Sequence, residues 1–296
     1  MPTATSLSGY SIFNNGPLTT AFTAPASCAT IYETMVAPAT EPTFFEWEAP
    51  SCNFVPPANC NPNGAAIQSI FSSAEGGNPS AGQIIVYHSP GLACPSGWET
   101  VGGAAKLNPT STSISGAFNV SEALPTGVAI FEQDLDVILA ALDPGETAAV
   151  CCPSSYTTMG AVCYSTLPSS VFTPTAGCQR LLPPGDVGTI SGTFTIGGQT
   201  LTGELATFTG TTPPSTTTTS FASSDAASLI GVAVQGMFIL VHKASDTSGG
   251  AGSSTASSTS STKPNSAVSV RGIDIGLGIV ATVCCVSFAL GALLVV

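Results

Sequence analysis

Large apolar residues alternate with small polar ones between residues 190 and 205, and no other stretch of the chain is patterned as clearly. Ile190, Phe194 and Ile196 lead into Gly197-Gly198, and Leu201 and Leu205 alternate on the return. A two-residue Gly-Gly connection joins adjacent antiparallel strands. The pattern therefore predicts a hairpin pairing Ile196 with Gln199, Phe194 with Leu201 and Ile190 with Leu205, with the large apolar side chains on one face. Shorter apolar runs predict strands over 83–88, 126–131, 147–151, 229–234 and 237–242. One segment, 134–142, reads as a short helix, capped by Asp134 and stopped by Pro144-Gly145. The expected fold is mainly β.

A weak internal repeat is superimposed on these elements. Cys94-Pro95-Ser96-Gly97-Trp98, followed by Thr100 and Gly102, is echoed by Cys152-Pro153-Ser154-Ser155-Tyr156, followed by Thr158 and Gly160. Each unit follows an apolar strand and precedes a Gly-Val-Ala strand, at Gly127 or Gly231. Cys-Pro-Ser leaves the strand into a turn, and the aromatic is expected to cover a disulfide. Two related β modules explain the repeat; the same turn chemistry reached twice is the alternative. The first reading divides the chain into an N-terminal, cysteine-containing extended segment (1–82), a first β module (83–146) and a second (147–244) carrying the hairpin. A Thr-rich tract at 209–220, with Pro213-Pro214, reads as a long surface loop within the second module.

Composition narrows the class. Only 7% of the 296 residues are charged, against roughly 25% in an ordinary soluble domain. With five Lys and Arg in all, long exposed helices laced by ion pairs are excluded, whereas 31 glycines and 23 prolines suit turns between short strands. A formal net charge of −12 excludes nucleic acid as a partner and disfavours docking on anionic lipid.

Eight cysteines lie in the body of the chain: Cys28, Cys52, Cys60, Cys94, Cys151, Cys152, Cys163 and Cys178. An even number in a Ser/Thr-rich chain of low charge predicts four disulfides formed in an oxidising compartment, with the pairing open. Cys284 and Cys285 belong instead to residues 275–296, which carry no charge. As a helix that run spans roughly 33 Å, enough to cross a bilayer. It reads either as a transmembrane helix or as the signal for a glycolipid anchor, with Asn265 the candidate attachment residue of the small triplet Asn265-Ser266-Ala267. The transmembrane or anchor segment is set at 273–296 and its stalk at 245–272. Twelve of the 18 residues from 245 to 262 are Ser or Thr, a composition that cannot bury apolar area and suits an O-glycosylated stalk. Asn119-Val120-Ser121 is the N-glycosylation sequon.

Two observations oppose the extracellular reading. Residues 1–28 show neither the basic nor the apolar region of a signal peptide. Lys263 and Arg271 precede the apolar tail, which by the positive-inside rule leaves the domain in the cytosol, as in a tail-anchored protein. Cysteine usage and Ser/Thr content outweigh two charges, so the expected place is the plasma membrane or cell wall with the domain outside.

Several stretches together resemble one family. Leu7-Ser8-Gly9-Tyr10-Ser11-Ile12, Gly16-Pro17-Leu18-Thr19-Thr20 and Phe22-Thr23-Ala24-Pro25 before Cys28 are similar to the opening of a group of filamentous-fungal (ascomycete) cysteine-rich surface proteins. The unit at Cys151-Cys152-Pro153-Ser154 resembles their recurring cysteine motif. The resemblance implies an ectodomain, a Ser/Thr-rich stalk and a single membrane segment, and brings no activity or site residues. This sequence stops at the apolar segment, where many such proteins continue into a cytosolic tail; a wall-stress sensor would need that tail.

Residues for catalysis are few. His88 and His242 are the only imidazoles, each at the end of an apolar strand, and both read as structural. No Gly-x-Ser-x-Gly elbow or phosphate loop is present. Glu132, Asp134 and Asp136 form the densest acidic group, but lack the glycine and terminal glutamate of a calcium loop; the solvated first turn of a helix accounts for them. We assign no catalytic residue, no metal ligand and no cofactor. Trp98 is expected over a disulfide, whereas Trp47, between Glu46 and Glu48, is the candidate platform for a sugar ring. The expected function is a structural or interaction role at the fungal cell wall, with the membrane and a wall polysaccharide as partners and protein partners undefined. The alternative is a secreted-side carbohydrate-active enzyme.

Overall fold

The computed structural model describes residues 1–7, 10–40, 42, 47–49, 51–52, 54, 57–75, 84–119, 130–131, 133–160, 162–181, 187–196, 199–208 and 215–247. In chain order the strands are β1 (Ser6–Leu7), β2 (Tyr10–Asn14), β3 (Glu33–Pro38), β4 (Trp47–Ala49), β5 (Ile84–His88) and β6 (Trp98–Asn108). Next come β7 (Ser111–Gly116), β8 (Ile130–Phe131), β9 (Glu146–Pro153), β10 (Thr157–Met159), β11 (Val162–Leu167) and β12 (Ala176–Leu181). The last are β13 (Val187–Ile196), β14 (Gln199–Phe208), β15 (Ser215–Ser220), β16 (Leu229–Gly236) and β17 (Phe238–Lys243). Helices are α1 (Gly64–Glu75), α2 (Asp134–Ala141), α3 (Ser223–Ala226) and α4 (Ala244–Thr247). The fold is mainly β, as the composition implies.

The first sheet runs β1-β2-β5-β17-β9-β6-β7 and is mixed, with β2, β5 and β17 parallel to one another. Alternation gives it two apolar faces. Tyr10, Ile12, Ile85, Tyr87, Ala148, Val150, Ile239 and Val241 meet Leu135, Val137 and Ile138 of α2 on one side. On the other side Cys151, Phe238 and Leu240 pack with Leu18, Phe22 and Trp98. A sheet covered on both faces needs near-continuous apolar strands, which is how the runs at 84–88 and 238–241 read. The second sheet, β10-β11-β16-β3-β4-β12-β15, is antiparallel throughout and buries Met35, Ala37, Val162, Val232 and Val234. The third is β13-β14 with β8 alongside β14.

The hairpin has the expected register, Ile196 with Gln199, Phe194 with Leu201 and Ile190 with Leu205, and extends to Val187 and Phe208. Leu205 is buried; Ile190 stays exposed.

Several expectations are corrected. The sheets do not divide between residues 146 and 147. Sheet one takes β1 and β2 from the expected N-terminal segment, β5, β6 and β7 from the expected first module, and β17 from the second, with β9 running across the expected boundary. Long-range pairing, which a local pattern cannot encode, interleaves the two halves. The N-terminal segment is not merely extended, since it contains α1. Ile67, Ile70, Phe71 and Ala74 recur at helical spacing there, but with Glu75 as the single charge where a surface helix usually has several. Gln133 rather than Asp134 occupies the N-cap of α2, in extended geometry and without a side-chain bond. Ser215–Ser220, expected within a loop, is strand β15, consistent with the β propensity of Thr. Residues 244–247 form α4, where Asp246 accepts the Lys243 backbone N–H at 2.8 Å, so the expected stalk does not begin at 245. The rest of the stalk, Asn265 and the apolar tail lie outside the described residues. Among those described, no helix is long and apolar enough to cross a membrane.

Glycine shapes sheet two where an aromatic side chain lies over the backbone, as at Gly177 and Gly231. A Cβ at Gly177 of β12 would collide with the Cβ of Trp47 and approach the Phe221 ring to 2.9 Å, whereas at Gly203 of β14 it would meet nothing within 4 Å. Gly177→Val should therefore cost about 1–3 kcal/mol through overpacking, and Gly203→Ala should be neutral or slightly stabilising. Urea unfolding midpoints of the two variants check this.

Candidate functional site

The chemistry of the chain is concentrated at the end of β9. Successive residues of a strand point to opposite faces, so Cys151 and Cys152 must find different partners. Cys151 bonds Cys94 beside Phe238 and Leu240, and Cys152 bonds Cys163 of β11. One strand is thereby stapled to the preceding loop on one side and to sheet two on the other. The remaining bridges are Cys28–Cys60 and Cys52–Cys178, so all eight candidate cysteines are paired.

The two repeat units lie side by side at this corner. The Trp98 N–H donates to the Pro95 carbonyl at 3.0 Å, and the Tyr156 N–H to the Pro153 carbonyl at 3.1 Å. Gly97 and Ser155, at equivalent places, both have positive φ, +82° and +74°. Each is a tight turn of type II form, and the Ser154 N–H joins them by donating to the Gly97 carbonyl at 2.9 Å. The two units thus share one turn geometry within one structural corner. Trp98 meets the Phe238 ring edge-on at 4.6 Å and packs in the cluster that holds Cys94 and Cys151, so this aromatic does cover a disulfide.

His88 ends β5 beneath this corner and is 2% exposed. Its ring lies 6.1 Å from Phe238, and Nδ1 has no hydrogen-bond partner. Burial lowers its pKa from the ordinary 6.5, opposed by its bond to the Gly16 carbonyl. The neutral imidazole is a core residue. His242 is partly buried in β17, opposite Thr147.

Of the acidic group, Glu132 lies outside the described residues. Asp134 and Asp136 stand two residues apart in the first turn of α2, and Asp136 is buried. Contrary to the expected solvated turn, Asp134 is only partly open at its surface. The dense surroundings of its carboxyl push the pKa from 3.8 to about 7 by desolvation, opposed by its own backbone N–H. Among the described residues no group of three His, Cys, Asp or Glu is placed to hold a metal ion.

Trp47 in β4 is half-buried. Its ring stands edge-on to Phe221 at 5.0 Å, and its Cβ rests over Gly177. Glu48 alternates to the opposite face and is buried. Asn119 is exposed just beyond β7, where its N–H donates to the Gly116 carbonyl at 2.8 Å; Val120 and Ser121 lie outside the described residues. Sequence reasoning missed Phe221, the partner of Trp47, because 174 residues separate the two rings.

No family model, curated protein or solved structure matches the chain. Its reading rests on its own residues.

Two ionisable groups set opposite pH trends. The folded Asp134 keeps a proton that the unfolded chain releases, so its contribution to stability is full below 3.8 and lost as pH rises through about 7. Asp134→Asn should therefore raise the urea midpoint above neutrality and leave it unchanged near the ordinary carboxylate pKa. The His88 contribution is full above 6.5 and is lost as pH falls toward its lower folded value, so His88→Gln should flatten that acid limb. Among the bridges, Cys52–Cys178 closes a span of 126 residues and Cys152–Cys163 one of 11. Replacing each pair by Ala should cost about 5 and about 3 kcal/mol respectively, read by chemical denaturation.

Proposed function

We propose that this chain is a disulfide-bonded ectodomain of the cell surface, tethered through its apolar C-terminus, with a structural or interaction role at a fungal cell wall. The observation that carries the reading is the complete pairing of the eight body cysteines into four bridges. Disulfides of this number persist where thiols are not kept reduced, which is outside the cell or in the secretory route. They also suit a chain with few ion pairs. The exposed Ser/Thr strands β7 and β15 and the exposed Asn119 support a surface that carries glycans. The residues from 248 onward complete the proposal as a stalk and a membrane or glycolipid anchor.

A carbohydrate-active enzyme remains the second reading because one carboxyl, Asp134, is held protonated near neutral pH, as a general acid must be. Against it, Asp134 and Asp136 share one helical turn instead of facing each other across a cleft.

The compartment is tested by alkylating the full-length protein in native membranes before and after reduction, with mass readout. The proposal expects Cys28, Cys52, Cys60, Cys94, Cys151, Cys152, Cys163 and Cys178 to react only after reduction. Immediate reaction of all eight would place the domain in the cytosol as a tail-anchored protein and overturn it.

A further inference from the structure

At the β4-β12-β15 end of sheet two, aromatic and hydroxyl-bearing residues share one face. Cys178 pairs with Glu48 on one side and with Thr218 on the other. Alternation then sets Trp47 of β4, Gln179 of β12 and Thr217 of β15 on the opposite face, in neighbouring positions of three adjacent strands. Gly177 and Thr219 form the next row of that same face. Contact between the Gly177 position and the Trp47 side chain confirms the shared face. Phe221, just past β15, is anchored there by its N–H to the Thr175 carbonyl at 2.9 Å.

We propose that this strip, Trp47 with Phe221, Thr217 and Thr219, binds a neutral polysaccharide chain, with the indole stacking on a sugar ring and the threonine hydroxyls bonding to its alcohols. The inference rests on the wall-facing reading above and names the ligand class of that surface.

Three observations carry it. First, Trp47 is partly exposed and held in place from two sides, by the Gly177 backbone beneath it and the Phe221 edge at 5.0 Å, so little side-chain freedom is lost on binding. Second, Thr217 and Thr219 are exposed, on an edge strand whose six residues are all Ser or Thr. Their hydroxyls recur at about 7 Å, each able to donate and accept. Third, none of the residues of the strip is charged, and Glu48 alternates to the other face. On a chain of net charge −12, an anionic ligand is repelled and a neutral polyol is not. A pure core pair would bury the indole, and a purely solvated edge would have no ring.

The test uses the full chain in detergent, oxidised, with insoluble β-1,3-glucan and chitin as neutral probes and polygalacturonate as the acidic one. Retention on at least one neutral probe and not on the acidic one is expected. Trp47→Ala should weaken retention about tenfold, the scale of one lost aromatic stack. The double change Thr217→Val with Thr219→Val, at exposed positions that the fold tolerates, should weaken it about threefold and keeps the test decisive if Trp47→Ala fails to fold. In Trp98→Phe, which leaves Trp47 as the only indole, soluble laminarin should shift the fluorescence saturably. Failure of the wild type to bind either neutral probe, equal retention on polygalacturonate, or an unaffected double variant would each overturn the proposal. So would dimerisation through the strip, abolished in Trp47→Ala, which would identify a second copy as the occupant. Thiol protection is read separately, so failure of the site and failure of the surface reading remain distinct.

Discussion

Two cysteines in a row on one strand are the constraint on which this architecture turns. Cys151 and Cys152 occupy opposite faces of β9 because a strand alternates, so they cannot serve one bridge without distorting it. Sent to Cys94 and Cys163, they tie the loop before β6 to one side of the strand and β11 to the other. The two apolar faces of the first sheet and the attachment of the second sheet meet at that point. Trp98, Phe238 and Leu240 close over the first bridge, and the buried His88 lies beneath them. A chain so poor in charge has few ion pairs to set its register, and covalent links at strand ends do that work through geometry.

The remaining bridges extend the same logic to parts with little core of their own. Cys28–Cys60 joins two short 3₁₀ turns in the N-terminal region, one of which immediately precedes α1. Cys52–Cys178 ties the chain just after β4 to β12, next to the Trp47, Gly177 and Phe221 contact. The aromatic strip on that sheet therefore has a rigid support, and rigidity is what a weak, repeated ligand requires of a binding surface. The hydroxyl-rich strand β15 is the edge of sheet two, and Trp47 stands further in, paired with the fully buried Val36 of β3.

Glycine and threonine separate two uses of the same polar composition. Gly177 is small because a ring lies over it, and Gly97 adopts a positive φ because its turn demands it. Ser155 adopts the same geometry at the equivalent turn, although a side chain makes that conformation costlier. The threonines of β15 are β-branched and suit a pleated edge exposed on both faces.

Local pattern by itself determined the strands at 84–88 and 229–243, the hairpin register and the position of α2, because each is encoded by periodicity within about ten residues. The even count of cysteines and the placement of Trp98 over a disulfide were equally legible, since composition and a Cys-Pro-Ser turn carry them. The helix at Gly64–Glu75 had the right apolar spacing but only one charged residue, Glu75, to announce it. Tertiary structure alone decided which cysteines pair, that β17 enters between β5 and β9, and that Trp47 meets Phe221. It also decided that Asp134 loses its solvent rather than capping a helix in water. Each of these depends on which distant segments are brought together, and that choice is made by the burial of whole sheet faces, which no single stretch of sequence contains.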